Sequence, residues 1–221
     1  MESGKLLATS QKKYKCEVVG IDINKTFIDQ AKKLSKKMKL KGNVEFLKVD
    51  SIFALPFENE TFDIVISESV FSYIKNKEEV LKELNRVTKK NGCIGINEDI
   101  ILEEMPDELY QKFDRIFYPL FKFEIIKLLT LPQWLNIFKR CGINNVEYSV
   151  NKLPSFSPLD GFVEVLYFPF VVKTWLKIIY LSTINAELRK RFLLFADIFD
   201  KELKKEYLRY HGFCIFVGKK T

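Results

Sequence analysis

The sequence predicts an α/β protein built on a doubly wound, mostly parallel sheet. Three stretches carry that prediction: GIDINK (20–25), FLKVDSIFALPF (46–57) and FDIVISESVFSYI (62–74). Each is a hydrophobic run that ends in an acid or a small polar group. Ligands of parallel sheets gather at the carboxyl ends of the strands, so three such endings in order describe one composite pocket. The repeated order of strand then helix calls for right-handed crossovers and a parallel sheet.

Taken in order, residues 6–13 read as the remnant of a helix, and 17–22 as a strand carrying the β-branched Val18, Val19 and Ile21. Residues 26–40 form a Lys-rich helix and 44–49 the next strand. The uninterrupted run FDIVIS (62–67) is of the kind buried on both faces of a parallel sheet. Asn76 is placed as an N-cap, with Glu78 and Glu79 in the first turn and Lys89, Lys90 and Gly92 closing the helix. Val80, Leu81, Leu84 and Val87 make its inward stripe, and 93–97 is a strand ending in Glu98. The second half differs. Residues 105–130 are helical and aromatic, 132–140 is a short helix stopped by Cys141-Gly142, 145–151 is a strand, 155–208 is mostly amphipathic helix, and 212–218 is a final strand. The expected organisation is a core over 1–150, a helical aromatic-rich insertion or lid over 151–208, and a closing core strand over 209–221.

At 221 residues, 47% hydrophobic and 14% aromatic, the chain is long and apolar enough for a buried core. The net charge of +7 is concentrated at the start, since residues 1–48 hold twelve Lys and five acids. None of those cations is Arg, which disfavours a nucleic-acid partner, because such surfaces recruit Arg forks as well as Lys. Cys16, Cys93, Cys141 and Cys214 show no paired C-x-x-C spacing, which argues against a metal site and a disulfide scaffold. The first residues lack the apolar core of a signal peptide, so a cytoplasmic location is expected. Residues 162–181 approach the length of a membrane span, but Glu164, Pro169, Lys173 and Lys177 interrupt them. A buried helix or a membrane-surface helix is expected there rather than a span, the second alternative bringing peripheral membrane contact.

The set SGKLL, VVGIDIN and NVEFLKVDSIFALPFENETFDIVISESVFSYIKNKEEVLKELNRVTKKNGCIGINE resembles the class I S-adenosylmethionine-dependent methyltransferases, specifically the methyltransferase-11-like group. LPQWLNIFKRCGI and YHGFCIFVGKK resemble that family's last helix and its antiparallel closing strand. The resemblance implies a Rossmann-like fold and S-adenosyl-L-methionine as cofactor. It implies that Asp22 accepts both ribose hydroxyls, a task suited to one carboxylate with two acceptor oxygens, and that Ile23 lies against the adenine. Asp50 is implied to receive the adenine amino group, with Ser51 and Ile52 beside it. Ser67, Glu68 and Ser69 are implied to line the floor near the methionine part and the acceptor. The resemblance also implies a preceding strand and a glycine-rich turn of the form acid-x-G-x-G-x-G. Only Ser3 and Gly4 match the end of that turn, Met1 and Glu2 stand where earlier glycines belong, and Gly4 keeps the expected spacing to Asp22. The sequence therefore reads as beginning inside the motif. The absent strand would pair with two neighbours at the centre of the sheet, so two ladders of backbone groups are expected to lack partners. Each buried unsatisfied group costs ~1–3 kcal/mol against a total stability of ~5–15 kcal/mol, so an unstable or inactive chain is expected as written.

Methyl transfer from a sulfonium is an in-line displacement at an activated carbon, so holding the acceptor and excluding water matter most. For a hydroxyl or carbon-acid acceptor, Glu98 after the fifth strand of the family's order and Glu68 after the fourth are the candidate bases, with His211, the sole histidine, a third. Each has a plainer alternative, a solvated loop carboxylate or a turn histidine. Fourteen of the 31 aromatics fall in 151–221, which suits a lid over an apolar small-molecule acceptor and equally a plain helical core. Two other classes stay open: an RNA or protein methyltransferase using the Lys-rich helix, and a degenerate interaction or membrane-surface module.

Overall fold

The computed structural model of the chain describes residues 16–38, 44–121, 128–153 and 201–221, with positions 180, 183–187, 189–190 and 193. The helix expected over 6–13, Gly4, and the apolar stretch 162–181 apart from Tyr180 lie outside them. The described elements are β1 (Val18–Asp22), α1 (Lys25–Lys37), β2 (Val44–Lys48), β3 (Phe62–Glu68), a 3-10 turn (Phe71–Tyr73), α2 (Lys77–Val87), β4 (Thr88–Ile101), α3 (Asp107–Phe121), α4 (Leu131–Arg140), β5 (Ile143–Lys152), α5 (Lys201–Tyr210) and β6 (His211–Lys220). This is the α/β order the sequence predicts.

Local chemistry sets the boundaries. Asn24 caps α1 by accepting from the Thr26 amide at 2.9 Å, and Lys36 and Lys37 occupy its last turn, where the helix dipole favours cations. The helix ends at Lys37, short of the expected residue 40. Asn76 caps α2 as predicted, its side chain accepting from the Glu79 amide at 3.3 Å. Lys89, Lys90 and Gly92 do not close that helix. Thr88 turns extended, its hydroxyl donates to the Leu84 carbonyl at 2.7 Å, and β4 starts at once. The one residue between Phe62 and Ile64 of β3 faces the four residues 89–92 of β4 in a bulge. Gly92 is required there, because a Cβ would lie 2.8 Å from the Asp63 carbonyl oxygen. Cys141 and Gly142, at φ 72°, stop α4 as the sequence predicts.

β1 and β2 pair in parallel, as do β3 and β4, while β6 runs antiparallel between β4 and β5. Among the described residues the strands form two ladders, β1-β2 and β3-β4-β6-β5. The core lies on one face of the larger ladder. There Ile94, Ile96, Ile100 and Phe216 meet Leu81, Leu84 and Val87 of α2 and Trp134 and Phe138 of α4. Trp134 sits 5.5 Å from Phe216 and 5.3 Å from Phe71, ring centre to ring centre. The expectation that β3 is buried on both faces fails: Ile64 is 62% and Ile66 54% exposed. Both α2 and α4 belong to the core on the other face, and Ile215 and Val217 of β6 share the exposure of β3.

The loop between β2 and β3 is fastened to α2 by a part-buried pair. Glu83 accepts from the Leu55 amide at 2.6 Å and from Arg86 at 2.7 and 2.8 Å. The Arg86 guanidinium donates onward to the carbonyls of Phe57 at 2.8 Å and Leu55 at 3.2 Å. The Arg86 hydrogen bonds hold the Glu83 carboxyl below its ordinary value. Replacing Arg86 by Leu leaves Glu83 with the Leu55 amide alone and takes away the donor to the Phe57 carbonyl. The expected outcome is a loss of about 1.5–3 kcal/mol in urea denaturation, with faster hydrogen exchange at the Leu55 amide.

Candidate functional site

Parallel pairing brings the carboxyl ends of β1 and β2 side by side. Asp22 ends β1, and one of its oxygens accepts from the Asn24 amide at 2.7 Å, which turns the chain into α1. Ile23 next to it is 57% exposed, an apolar side chain left uncovered beside a carboxylate. On the neighbouring strand Val49 donates its amide to the Asp22 carbonyl at 3.0 Å, and Asp50 follows. Asp50 is exposed and paired with Lys48, whose hydrogen bond lowers its carboxyl pKa. The Ser51 hydroxyl accepts from the Phe53 amide at 3.0 Å, and Ile52 packs against the core. The structure thus gathers Asp22, Ile23, Asp50, Ser51 and Ile52 at one end of one ladder.

The turn after β3 is held from beneath by Glu98. That residue is not at a strand end, as the sequence suggests, but inside β4 and 1% exposed. Its Oε1 accepts from the amides of Val70 and of Phe71, the latter at 2.8 Å. Its Oε2 accepts from the amide of Ser72 at 3.2 Å and the hydroxyl of Ser72 at 3.0 Å. Burial raises the Glu98 carboxyl pKa against the pull of these donors. Ser69 adopts φ 52° and donates its amide to the Asn97 carbonyl at 2.9 Å. A non-glycine residue in that region is strained and persists only where its surroundings over-determine it. Ser67 is buried, directed to the core side of β3 beside Ile96. Lys77, also buried, donates to the Ile74 carbonyl at 2.8 Å; burial lowers its pKa, and the Glu98 charge acts against that.

The opposite face of the same strands carries a second polar group. Glu68 and Asn97 are register partners, so their side chains stand side by side, and Asp99 follows on that face. Glu68 Oε2 and Asn97 Oδ1 are buried with no hydrogen-bond partner. His211, the first residue of β6, pairs with Ile101 on this face and stacks on Tyr207 at 3.8 Å. Its Nδ1 lies 2.9 Å from the Tyr207 carbonyl, which assigns the proton to that nitrogen. Burial lowers the imidazole pKa to about 4 and raises that of the Tyr207 phenol to about 12, Asp99 and Tyr73 adding to the latter. Packing also raises the Asp99 carboxyl, although its side chain reaches solvent. Beyond Ile101 a cleft of about 450 Å³ opens, lined by Glu104, Met105, Tyr110, Leu128 and Gln133.

Of the candidate bases, then, only Glu68 keeps an uncommitted oxygen facing the site. Glu98 spends both oxygens on backbone and hydroxyl donors, and His211 is a neutral, buried ring. Sequence reasoning did not single out Asn97, Asp99 or Tyr207. The signal was the alternation of CIGINEDII: period two places Ile94, Ile96, Glu98 and Ile100 on the apolar face and Asn97 and Asp99 on the other. Among the described residues, no group of His, Cys, Asp and Glu is arranged to hold a metal ion, and no helix is long and apolar enough to cross a membrane. The four cysteines are free.

The family model described as "Methyltransferase domain" matches residues 3–140. An uncharacterized protein of Haemophilus influenzae is 26% identical over 208 residues, covering 89% of this chain and 75% of that protein. A demethylmenaquinone methyltransferase of Lactobacillus johnsonii is 32% identical over 81 residues, covering 37% of this chain and 33% of the enzyme. The chain thus spans three quarters of the first relative and about a third of the second. In fold it is similar to the crystal structure of the MccD protein, with a TM-score of 0.69 and 22% identity over 97% of this chain and 84% of that one.

Two outcomes are expected. Glu98→Gln turns amide hydrogens toward backbone N–H donors, so unfolding free energy falls by about 1.5–3 kcal/mol, and the amides of Val70, Phe71 and Ser72 exchange faster. His211 is held below its ordinary value of 6.5, at about 4, so it is neutral in both folded and unfolded chains above pH 6.5. Below that the unfolded chain takes up a proton first, and stability is lost as pH falls from 6.5 to about 4. Urea denaturation across that window is expected to show His211→Gln losing less stability than the parent.

Proposed function

The chain belongs to the methyltransferase-domain family, the class I S-adenosylmethionine-dependent methyltransferases, and on that premise we propose that it methylates a small acceptor at the carboxyl ends of β1 to β4. The observation that carries the reading is the pair of carboxylates on neighbouring parallel strands, Asp22 and Asp50, with Ile23 exposed beside the first. These residues fit a nucleoside. The second Asp22 oxygen, free of the Asn24 amide, meets the ribose hydroxyls, Ile23 covers one face of the base, and Asp50 receives its amino group on releasing Lys48. When bound, S-adenosylmethionine supplies an electrophilic methyl on a sulfonium.

The chain's own contribution is positional. Glu98 and the Asn97 carbonyl fix the Ser69 turn, so the backbone after β3 presents one surface and does not reorganise during the reaction. Glu68 is the residue suited to take a proton from the acceptor, since its Oε2 is uncommitted and faces away from the core. The cleft beyond Ile101 mixes Met105 and Leu128 with Glu104, Tyr110 and Gln133, which suits an acceptor with an apolar body and a polar end.

Calorimetric titration with S-adenosylhomocysteine tests the reading. Asp22→Ala is expected to weaken binding roughly 10- to 100-fold, the worth of one charge-assisted hydrogen-bonded contact, and Ile23→Ser by a smaller factor. Binding that neither substitution changes, or no binding to the folded chain, overturns it.

A further inference from the structure

We propose that Glu68 and Asn97 form the recognition site for an ammonium group, and that the methyl acceptor is therefore an amine. The inference rests on the methyl-transfer reading above and adds the chemistry of its acceptor. Glu68 Oε2 and Asn97 Oδ1 are both acceptors, both buried, and both without a hydrogen-bond partner. Native chains rarely leave such atoms orphaned, and two in register on neighbouring strands ask for one donor between them. One of the two is a carboxylate oxygen, so a cationic donor satisfies the pair better than a hydroxyl does. Asp99, two residues further along the same face, adds a second carboxylate. Among the described residues, no Lys or Arg supplies the missing donor.

The site is also built to hold its shape. Ser69, directly after Glu68, is locked at positive φ by the Asn97 carbonyl, and Glu98 behind Asn97 fixes the next three amides. Both ligating residues thus sit on strands whose positions are set from the core side. In the transfer itself the ammonium gives one proton to the Glu68 carboxylate. The nitrogen lone pair then forms the N–CH3 bond as the S–CH3 bond breaks, and that electron pair stays on sulfur. The products are a methylated ammonium and a neutral thioether, so charge and atoms balance.

An ammonium reaches this pair from one of two sources, the acceptor or the amino-acid end of the cofactor. Phenethylamine and its alcohol isostere, 2-phenylethanol, are titrated into the full chain saturated with S-adenosylhomocysteine, whose own amino group is then already in place. The proposal expects the amine to bind at least 10-fold more tightly than the alcohol, and expects that preference to vanish in Glu68→Gln and to weaken in Asn97→Leu. Circular dichroism confirms that each variant is folded, and Asn97→Leu carries the test alone if Glu68→Gln does not fold. Equal binding of amine and alcohol, binding of neither, or a preference that survives Glu68→Gln overturns the proposal. The last result is also what a mutual hydrogen bond between Glu68 and Asn97 would produce. A loss of S-adenosylhomocysteine affinity in Glu68→Gln without any amine preference overturns it by assigning the pair to the cofactor's amino group. Failure of S-adenosylhomocysteine to bind the parent chain overturns the methyl-transfer reading instead.

Discussion

A single buried carboxylate organises this molecule. Glu98 lies in the middle of β4 among Ile94, Ile96 and Ile100, where an uncompensated charge would be ruinous, and its environment supplies four donors in place of water. Three are successive backbone amides of the turn that follows β3, the amides a short helical turn leaves without partners. The carboxylate and the turn therefore solve each other's problem. The strand gains a satisfied charge, and the turn gains an acceptor that defines its path.

That exchange ties the site to the core. Phe71 donates its amide to Glu98 and buries its ring completely, edge-on to Trp134 of α4, which also contacts Phe138 and Phe216. A shift of the turn would have to open this aromatic cluster as well as break the hydrogen bonds, and close-packed interiors resist such partial motion. On the other side of the strand pair, the Ser69 strain and the orphaned oxygens of Glu68 and Asn97 are held in place by the same anchoring. Strain and unsatisfied groups are tolerated where packing elsewhere over-determines the backbone. The Glu83-Arg86 pair does the equivalent for the loop after Asp50, reaching from α2 rather than from β4.

Much of this was legible in the sequence because it depends on local patterns. The runs ending in Asp22, Asp50 and Glu68 name the strands, Asn76 names its cap, and Gly142 its stop, each through chemistry acting over a few residues. Glu98 was misplaced, since a carboxylate following an apolar run looks like a strand end. Only the alternation through Asp99 and Ile101 shows that the strand continues. Lys89, Lys90 and Gly92 were misassigned for a related reason: cations after a helix satisfy its dipole, but here a bulge against Asp63 takes them into β4. The exposure of Ile64 and Ile66 is a tertiary property that no local pattern carries. Which donors satisfy Glu98, and which atoms go unsatisfied at Glu68 and Asn97, depend on contacts made across 26 or more residues of sequence.

The central claim is that one nucleoside site spans both ladders, made by the ends of β1 and β2 and the turn that Glu98 anchors after β3. Amide chemical-shift mapping of the isotope-labelled chain, titrated with S-adenosylhomocysteine, tests it most directly. The account predicts saturable shifts at Asp22 to Asn24, at Asp50 to Phe53 and at Ser67 to Phe71, all following one binding curve. Shifts confined to only one of the two ladders, or centred on residues remote from all three segments, would contradict it.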